Sequence, residues 1–343
     1  MAYVAFLQSL HILLVYMTFE EFIEEWRGES EFIEARTSGS TGEPKLIRLP
    51  KPFVRASALR SNNFFCINSQ SRLHSCVAPD YIGGKMMAVR AETAGCRLTW
   101  ETPSNAPLRG IGAKEKIDLL AVVPSQMLHI LENKKDLPSI RTVIIGGSPI
   151  NASLRDRIMA SDLCAYETYG MTETSSHIAL RKVGNEWFTT LEGIRVDKDD
   201  RDCLVICFDT GEVFRTNDLA SVESSNRFKI NGRIDNIIIT GGKKVNPIDV
   251  ECRISHLFST PFIITSSPDL KWGMKVVLKV ERGEKAGGRP GGNHRAGESE
   301  KKEEEAASRL FEKLREVLSS HEIPKVIEWV DKLPRTANGK LKR

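Results

Sequence analysis

The sequence has no C-x-x-C pair, no large excess of charge of one sign and no long uninterrupted apolar run. Its seven cysteines are scattered from Cys66 to Cys252, which argues against a disulfide framework or a structural zinc site and favours a reducing, cytoplasmic environment. The 49 lysines and arginines against 45 aspartates and glutamates give a net charge of +4, too small to indicate a nucleic-acid partner. With 41% hydrophobic and 27% charged residues, the 343-residue chain has the composition of a globular protein of two domains.

An apolar stretch opens the chain at residues 2–17. It is shorter than the ~20 residues that a helix needs to cross a bilayer, and it lacks the basic start and cleavage site of a secretory signal, so we expect no membrane span. We interpret it either as a packed amphipathic segment or as translated sequence upstream of the true start. Thr18, followed three residues later by Glu21, predicts the capped beginning of an amphipathic helix.

The segment from residue 117 to 166 alternates between strand and helix patterns. Apolar runs at 117–123, 140–145 and 163–166 are typical of strands that are buried on both faces. This βαβαβ order predicts a parallel sheet with right-handed crossovers. Ligands of such sheets bind beyond the carboxyl ends of the strands, so the loops at those ends are candidate binding elements.

Proline and glycine mark the turns of this segment. Pro124 suits the first turn of the helix after the first strand. After the second strand, Ser148 and Pro149 suit the start of the next helix, and Gly146 and Gly147 form a turn at the predicted binding end of the sheet.

A second domain begins near Gly232, where a turn, a strand, a glycine turn and a helix start follow each other closely. Residues 283–300 are rich in glycine and charge, as a solvated flexible loop is, and residues 303–320 form an amphipathic helix. We therefore expect a large domain over residues 1–231 and a small domain over residues 232–343.

The strongest single motif is segment 37–45, which reads T-S-G-S-T-G-E-P-K. Small residues and two glycines let backbone N–H groups converge on an anion, while hydroxyls and a lysine add donors and charge. The motif is not a Walker A loop, because proline and not glycine precedes the lysine. Since a Ser/Thr/Gly stretch alone is often a plain turn, phosphate binding needs support from other motifs. The candidate anion-binding residues are Thr37, Ser38, Gly39, Ser40, Thr41, Gly42 and Lys45.

Five segments, in this order along the chain, resemble the signatures of the adenylate-forming superfamily, which includes acyl-CoA synthetases and peptide-synthetase adenylation domains. They are the phosphate-binding segment 37–45, Y-G-M-T-E at 169–173, R-T-N-D at 215–218, the hinge G-R-I-D at 232–235 and the C-terminal lysine motif P-R-T-A-N-G-K at 334–340. The resemblance implies an α/β fold. Its large N-terminal domain has mostly parallel sheets flanked by helices, and its small α+β C-terminal domain is mobile.

The resemblance also implies an ATP site. Thr172 would donate to the α-phosphate, and Glu173 would bind Mg²⁺, for which a hard oxygen ligand is appropriate. Asp218 and Arg233 would contact the ribose. The residues that would line the adenine are Gly146, Gly147, Ser148, Pro149, Tyr169 and Gly170.

Three further roles belong to the C-terminal part of the resemblance. Lys340 would neutralise the charge that develops between the carboxylate and the α-phosphate during adenylate formation. Asp235 would be the pivot of a domain rotation that precedes thioester formation. After that rotation, Gly241 and Gly242 would lie near the pantetheine thiol of coenzyme A. The implied co-substrates are therefore ATP with Mg²⁺ and coenzyme A.

The acid is suggested by a narrower resemblance, to o-succinylbenzoate–CoA ligases of menaquinone biosynthesis, carried by residues 38–45, 80–87 and 169–181. Such an acid has a second, spectator carboxylate, which needs a cationic or multi-donor partner. The candidates are Lys85, His177 and Arg181.

Three other functions stay open. The first is an amino-acid-activating enzyme, in which an aspartate of the segment containing Asp80 would pair with the substrate amine. The second is a CoA ligase for another aryl or short-chain acid. The third is a nucleotide-binding regulator without catalysis, although such a protein would need neither Glu173 nor Lys340.

Two departures from the family pattern bear on the candidate site. Asn217 stands where the family usually has glycine, which puts the geometry of the ribose turn in question. Only 36 residues precede Thr37, so the resemblance leaves open what forms the wall of the acid pocket that this region usually supplies, and a homodimer partner is one candidate.

Overall fold

The structure, a computed structural model, describes residues 17–37, 45–282 and 296–335, with side chains in the last helix from residue 306 onward. Several predictions lie outside these residues, among them the interpretation of residues 1–16, the roles of Ser38, Gly39, Ser40, Thr41 and Gly42, and the role of Lys340. The chain divides into two compact units, the N-terminal unit Met1–Glu192 and the C-terminal unit Gly193–Arg343. A functional domain boundary near Gly232, with a hinge there, stays a prediction.

The N-terminal unit consists of a parallel sheet, flanking helices and a hairpin. Its helices are α1 (Phe19–Arg27), α2 (Lys51–Phe65), α3 (Ile82–Ala94), α4 (Pro124–Glu132) and α5 (Ala152–Met159). Its strands are β1 (Phe32–Arg36), β2 (Leu46–Pro50), β3 (Arg72–Ser75), β4 (Arg97–Trp100), β5 (Lys116–Ile117), β6 (Leu119–Val122), β7 (Ser139–Ile140), β8 (Val143–Ile145), β9 (Ala165–Met171), β10 (Ser176–Lys182) and β11 (Phe188–Thr190). Neighbouring strands run β4-β3-β6-β8-β9 in parallel, and β10 and β11 continue the sheet in antiparallel fashion.

The predicted parallel sheet is confirmed, but two of its three predicted strands are divided. Run 117–123 becomes β5 and β6, because Asp118 between them accepts a hydrogen bond from the Arg72 amide at 2.8 Å and pairs with Arg141 at 3.0 Å. The run 140–145 likewise becomes β7 and β8, and β5 pairs with β7 in a separate two-stranded sheet. A polar residue with a tertiary partner thus interrupts an apolar run.

Helix starts were predicted with mixed success. α1 has the predicted capping box, since the Glu21 amide donates to Thr18 Oγ1 at 3.1 Å and the Thr18 amide donates to Glu21 Oε2 at 2.7 Å. α4 begins at Pro124, as predicted. The prediction that Ser148 and Pro149 begin the next helix is wrong, because α5 is capped by Asn151, whose side chain accepts from the Leu154 amide at 2.8 Å.

The C-terminal unit contains an antiparallel ladder and a smaller sheet with two helices. Its strands are β12 (Ile194–Lys198), β13 (Cys203–Phe208), β14 (Val213–Ser224), β15 (Arg227–Arg233), β16 (Ile238–Thr240), β17 (Lys243–Val245), β18 (Phe262–Asp269), β19 (Gly273–Glu281) and β20 (Val326–Val330), and its helices are α6 (Pro247–Ile254) and α7 (Ala296–Val317). β12 to β15 pair sequentially and antiparallel, whereas β20 joins β19 in parallel. α7 begins at Ala296, inside the segment 283–300 that was predicted to be a loop.

Each unit has its own core. In the N-terminal unit, α1 and α3 bury Phe22, Trp26 and Met86 against the β1–β2 hairpin. In the C-terminal unit, α6 and α7 cover the small sheet with Val250 and Leu314. None of the described helices is long and apolar enough to cross a membrane.

Candidate functional site

The ends of the predicted phosphate-binding segment meet at the end of a hairpin. The Thr37 amide donates to the Lys45 carbonyl at 2.8 Å, and the Lys45 amide donates to Thr37 Oγ1 at 3.0 Å. These bonds continue the antiparallel pairing of β1 with β2, so the segment connects two paired strands. The residues inside this segment lie outside the described part of the chain, and their contact with phosphate stays a prediction.

The glycine turn at residues 146–149 lies where the parallel strands end, as predicted. Ile145, the last residue of β8, pairs with Glu167 of β9, so Gly146 and the end of β9 extend beyond the same edge. A side chain at Gly146 would have its Cβ 2.9 Å from Thr168 Oγ1, and Gly147 has a φ of +89°. Position 147 therefore requires glycine for its backbone conformation, and a side chain at Gly146 would displace the Thr168 hydroxyl.

The motif at 169–173 spans the end of a strand and the start of a tight turn. Tyr169 and Gly170 belong to β9, which runs to Met171, and β10 begins at Ser176. A Cβ on Gly170 would lie 2.0 Å from the Ser176 carbonyl oxygen. The glycine is therefore needed for the close approach of two strands, whether or not it also contacts a nucleotide.

The turn between β9 and β10 presents Glu173. Thr174 Oγ1 accepts a hydrogen bond from the Met171 amide at 3.0 Å, and Ser57 of α2 donates to the Ser175 carbonyl at 2.9 Å. These bonds hold the turn from both sides. Within the described residues, the partly exposed Glu173 carboxylate forms no hydrogen bond or ion pair, so its oxygens are available as ligands of a hard cation. The adjacent Thr172 is 9% exposed.

The two predicted ribose residues are direct partners on neighbouring strands. Asp218 of β14 pairs with Arg233 of β15, and their side chains form an ion pair at 3.1 Å. Arg233 also contacts the carboxylate of Asp235 at 2.8 Å. The arginine thus links the predicted ribose carboxylate to the predicted hinge residue.

Asn217 extends this group of side chains. Its amide nitrogen donates to both oxygens of Asp235, at 3.1 and 3.3 Å, and its amide oxygen accepts from Arg201 at 3.2 Å. Arg201 in turn is bound to Asp199 at 2.7 Å. The departure from glycine at position 217 therefore has a structural use, and neither Arg201 nor Asp199 was predicted from the sequence.

Gly241 and Gly242 form the two-residue turn between β16 and β17. Their φ values are +55° and +76°, which only glycine adopts readily in a turn of this kind. The Cβ of any other residue at position 241 would lie 2.7 Å from the Trp272 ring. The turn explains both glycines, and a contact with coenzyme A stays a prediction.

Comparison with known proteins decides the family. Residues 36–200 match the model of the AMP-binding enzyme family. The solved acyl-CoA synthetase (AMP-forming)/AMP-acid ligase II-like protein from Dyadobacter fermentans is 31% identical, with a TM-score of 0.58, and the match covers 94% of this chain and 91% of that one. The chain belongs to the AMP-forming acyl-CoA synthetase and AMP-acid ligase family. Both the superfamily resemblance and the mixed α/β fold are thereby confirmed.

Two further relatives of this acid–CoA ligase are informative. The 2-succinylbenzoate–CoA ligase of Bacillus cereus strain Q1 is 25% identical over 94% of this chain and 71% of its own length. The fold also matches o-succinylbenzoate coenzyme A synthetase from Bacillus subtilis in complex with ATP and magnesium ion, with a TM-score of 0.71 and 20% identity. That match covers 90% of this chain and 68% of the Bacillus subtilis chain.

The three predicted acid-binding residues of this ligase are separately engaged. Lys85 is 2% exposed, lies 4.2 Å from the centre of the Phe22 ring and 3.8 Å from Glu25, and burial lowers the pKa of its ammonium. Arg181 is bound to Glu167 at 2.8 Å. Each of these cations thus already has a carboxylate partner.

His177 is buried beside an arginine. Its Nε2 lies 3.1 Å from Ser61 Oγ and its Nδ1 lies 3.4 Å from Arg90 Nη2. Because the guanidinium can only donate, Nδ1 accepts and Nε2 carries the proton. Burial first, and the charge of Arg90 second, hold the pKa of His177 well below its usual value, so the ring is neutral.

Arg90 of α3 is a further residue that was not predicted from the sequence. It is 1% exposed, and its partners are Ser61 Oγ at 2.9 Å, the Met87 sulfur at 3.6 Å and His177. No acidic side chain of the described residues lies within ion-pair distance, and burial lowers the pKa of the guanidinium to about 9. No signal in the sequence marked Arg90, because a lone arginine in a helix is usually exposed.

Proposed function

We propose that this member of the family converts o-succinylbenzoate, an aromatic keto acid with two carboxylates, to its coenzyme A thioester. In the first step a carboxylate oxygen attacks the α-phosphorus of ATP, and the bond from that phosphorus to pyrophosphate breaks. In the second step the thiol sulfur of coenzyme A attacks the acyl carbon, loses its proton and releases AMP. This is the chemistry of the family, applied to the acid that is named in the Bacillus cereus relative.

The buried Arg90 guanidinium is the feature that favours o-succinylbenzoate as the acid. A buried charge without a counter-ion is costly, and a ligand carboxylate would supply the missing partner in a bidentate arrangement. An aryl acid with a single carboxylate uses that group at the phosphate and would leave Arg90 unpaired. Arg90 therefore favours a dicarboxylate over the mono-acid alternative, and it takes the role for which the sequence suggested Lys85, His177 or Arg181.

The ATP part of the proposal rests on the N-terminal unit. The loop that Thr37 and Lys45 close has the composition of an anion site, and the turn at 146–149 lies beyond the sheet edge where nucleotides bind in α/β folds. Glu173, with its carboxylate uncommitted among the described residues, is suited to hold Mg²⁺, which would neutralise phosphate charge. The Bacillus subtilis synthetase with the same fold is known with ATP and magnesium.

The experiment measures pyrophosphate release with a panel of acids, with and without coenzyme A. We expect turnover with o-succinylbenzoate. The analogue without its ring carboxylate should have a kcat/KM lower by about 30-fold or more, because one partner of a buried charge pair is then missing. Turnover with another acid but not with o-succinylbenzoate would refute the substrate assignment. No pyrophosphate release or exchange with any acid would favour the non-catalytic regulator.

Two variants test the role of Arg90. Arg90→Gln should reduce the difference in kcat/KM between o-succinylbenzoate and its analogue to a few-fold, while the KM for ATP stays unchanged. Arg90→Lys should restore part of this difference in kcat/KM. Arg181→Gln is the control, because Arg181 already pairs with Glu167 at 2.8 Å and should leave the difference intact. A full difference in kcat/KM in the Arg90→Gln variant would exclude Arg90 from acid recognition.

Coenzyme A as the acceptor thiol and assembly as a homodimer are also parts of the proposal. Thioester formation measures the first, and sedimentation measures the second.

A further inference from the structure

Outside the residues discussed so far, His74, Cys76 and Glu101 form a compact cluster. A ring nitrogen of His74, the Cys76 sulfur and a Glu101 carboxylate oxygen all lie within 4.8 Å of one another. His74 and Cys76 are each 1% exposed, and Glu101 is half-buried. The strands explain the proximity: β3 and β4 are parallel neighbours, Cys76 directly follows β3, and Glu101 directly follows β4.

The hydrogen bonds of His74 select its tautomer. Its Nδ1 lies 2.8 Å from Thr99 Oγ1, and that hydroxyl donates its own proton to the Leu73 carbonyl at 3.3 Å. Thr99 must therefore accept from Nδ1–H, which leaves a lone pair on Nε2. Nε2 is buried and has no hydrogen-bond partner among the described residues. A histidine whose Nδ1–H is held by a neighbour and whose Nε2 is free has the arrangement of a metal ligand.

The Glu101 side chain and the backbone of Cys76 are held in place as well. Both oxygens of Glu101 accept from the Leu108 amide at 3.0 Å, and Leu108 is a buried leucine with a φ of +67°. The Cys76 carbonyl accepts from Gln126 at 3.0 Å, and the Cys76 amide donates to Ala121 at 3.0 Å. Backbone strain at Leu108 thus accompanies the position of Glu101.

We propose that His74 Nε2, Cys76 Sγ and Glu101 bind one divalent cation of borderline softness, with Zn²⁺ as the representative ion. One nitrogen, one sulfur and one oxygen suit zinc in a site whose fourth position is open to water or to another small ligand. Binding forms the metal–sulfur bond and releases the thiol proton to solvent. Mg²⁺ prefers oxygen ligands throughout, so this site is separate from the magnesium role of Glu173.

The geometry needs only a limited adjustment. Ligand bonds of about 2.0–2.3 Å place tetrahedral ligand atoms roughly 3.3–3.8 Å apart, so the cluster must contract slightly. The half-buried Glu101 also gives the cluster an entry path from solvent. The sequence offered no such indication, because His74 and Cys76 are two residues apart and Glu101 follows 25 residues after Cys76.

The test uses the full chain, stripped with a chelator and titrated with Zn²⁺, and with Co²⁺ as a spectroscopic probe. We expect one zinc per chain by mass spectrometry, and a thiolate-to-cobalt charge-transfer band with the absorption of tetrahedral Co²⁺. Cys76→Ser and Glu101→Gln should each weaken zinc binding by more than about 10-fold, and Thr99→Val, which only releases Nδ1, by about 10-fold. Cys203→Ser is the matched control, since Cys203 is also a buried free cysteine.

Two results would overturn the proposal. One is a wild-type chain that retains no zinc at equimolar metal. The other is a cobalt spectrum that is the same in the wild type and in Cys76→Ser. Thermal unfolding verifies that each variant is folded. Metal content is measured without any acid or ATP, so a failure of the zinc proposal is distinguishable from a failure of the proposed ligase function.

Discussion

Burial separates the ionisable side chains of this protein into two groups. Arg233, Asp218 and Asp235 pair with one another at a partly exposed position, where solvent screens each charge. Arg90 and His177 are almost completely buried, and burial lowers the pKa of both side chains, with the charge of Arg90 as a second cause for His177. We therefore expect changes of pH and substitutions to alter stability and activity most at Arg90 and His177.

The protein should become less stable as the pH is lowered below about 6.5, the ordinary pKa of histidine. His177 stays neutral in the folded state, whereas the unfolded chain binds a proton there as the pH falls through 6.5. The free energy of unfolding then decreases by up to about 1.4 kcal/mol per pH unit from this residue. Arg90 is the charged group that faces the ring, and its positive charge acts in the same direction.

Urea unfolding at pH 7.5 and 5.5 measures this effect. His74, whose pKa burial also lowers, contributes in the same direction, so the useful quantity is the difference between wild type and His177→Gln. The variant should lose less stability than the wild type between the two pH values. An equal loss in both would show that His177 is not the group that titrates.

Glu173→Gln should abolish most of the magnesium-dependent activity. The amide keeps the size of the side chain but removes the negative charge that suits Mg²⁺. We expect kcat to fall by about 100-fold or more while the affinity for ATP changes little. ATP–pyrophosphate exchange over a magnesium titration is the measurement, and unchanged magnesium dependence would exclude the carboxylate from metal binding.

At the scale of elements, the β9–β10 hairpin contains both residues that pack the two strands together and the candidate magnesium ligand. Gly170 lets β9 approach the Ser176 carbonyl of β10, and Thr174 closes the turn that carries Glu173. The position of the candidate magnesium ligand therefore depends on the register of two strands. A motif that is described by its ligands also contains residues whose role is structural.

Gly170→Ala should destabilise the protein by roughly 1–3 kcal/mol, since its Cβ would lie 2.0 Å from a backbone oxygen that cannot move without shifting β10. Gly110→Ala is the control, because a Cβ there meets nothing within 4 Å, and its effect should stay within about 0.5 kcal/mol. Chemical unfolding of both variants decides the matter. Equal stabilities would mean that the strands separate without cost.

At the scale of the whole molecule, the candidate residues are divided between two compact units. The anion loop, the glycine turn and Glu173 belong to the N-terminal unit, whereas Asp218, Arg233 and Asp235 belong to the C-terminal unit. Each unit has a separate core.

Lys340→Ala tests the two-step proposal. We expect adenylate formation to fall by about 100-fold or more, because the ammonium no longer neutralises the charge between carboxylate and phosphate. Thioester formation from preformed acyl-adenylate should be largely spared. The two half-reactions are measured separately, by pyrophosphate exchange and by coenzyme A consumption. An equal loss of both would contradict the predicted domain rotation between the steps.

The sequence alone determined the features that depend on neighbouring residues. The capping box at Thr18 and Glu21, the helix start at Pro124 and the parallel strands around residues 119–171 follow from local patterns, which act over a few residues. The family also followed from the sequence, because its signatures are short segments with strong backbone requirements. Where a local pattern failed, as at Asp118, a side chain had found a partner far along the chain.

Tertiary structure alone decided which distant side chains meet. Examples are Arg90 next to His177, Asn217 between Arg201 and Asp235, and Glu101 beside His74 and Cys76. Each of these contacts joins positions that are between 16 and 87 residues apart. No spacing rule marks such pairs, since their proximity is set by strand order and helix packing. Burial, which gives Arg90 and His74 their chemical interest, is likewise a property of the folded chain, because it depends on what covers a residue from elsewhere in the sequence.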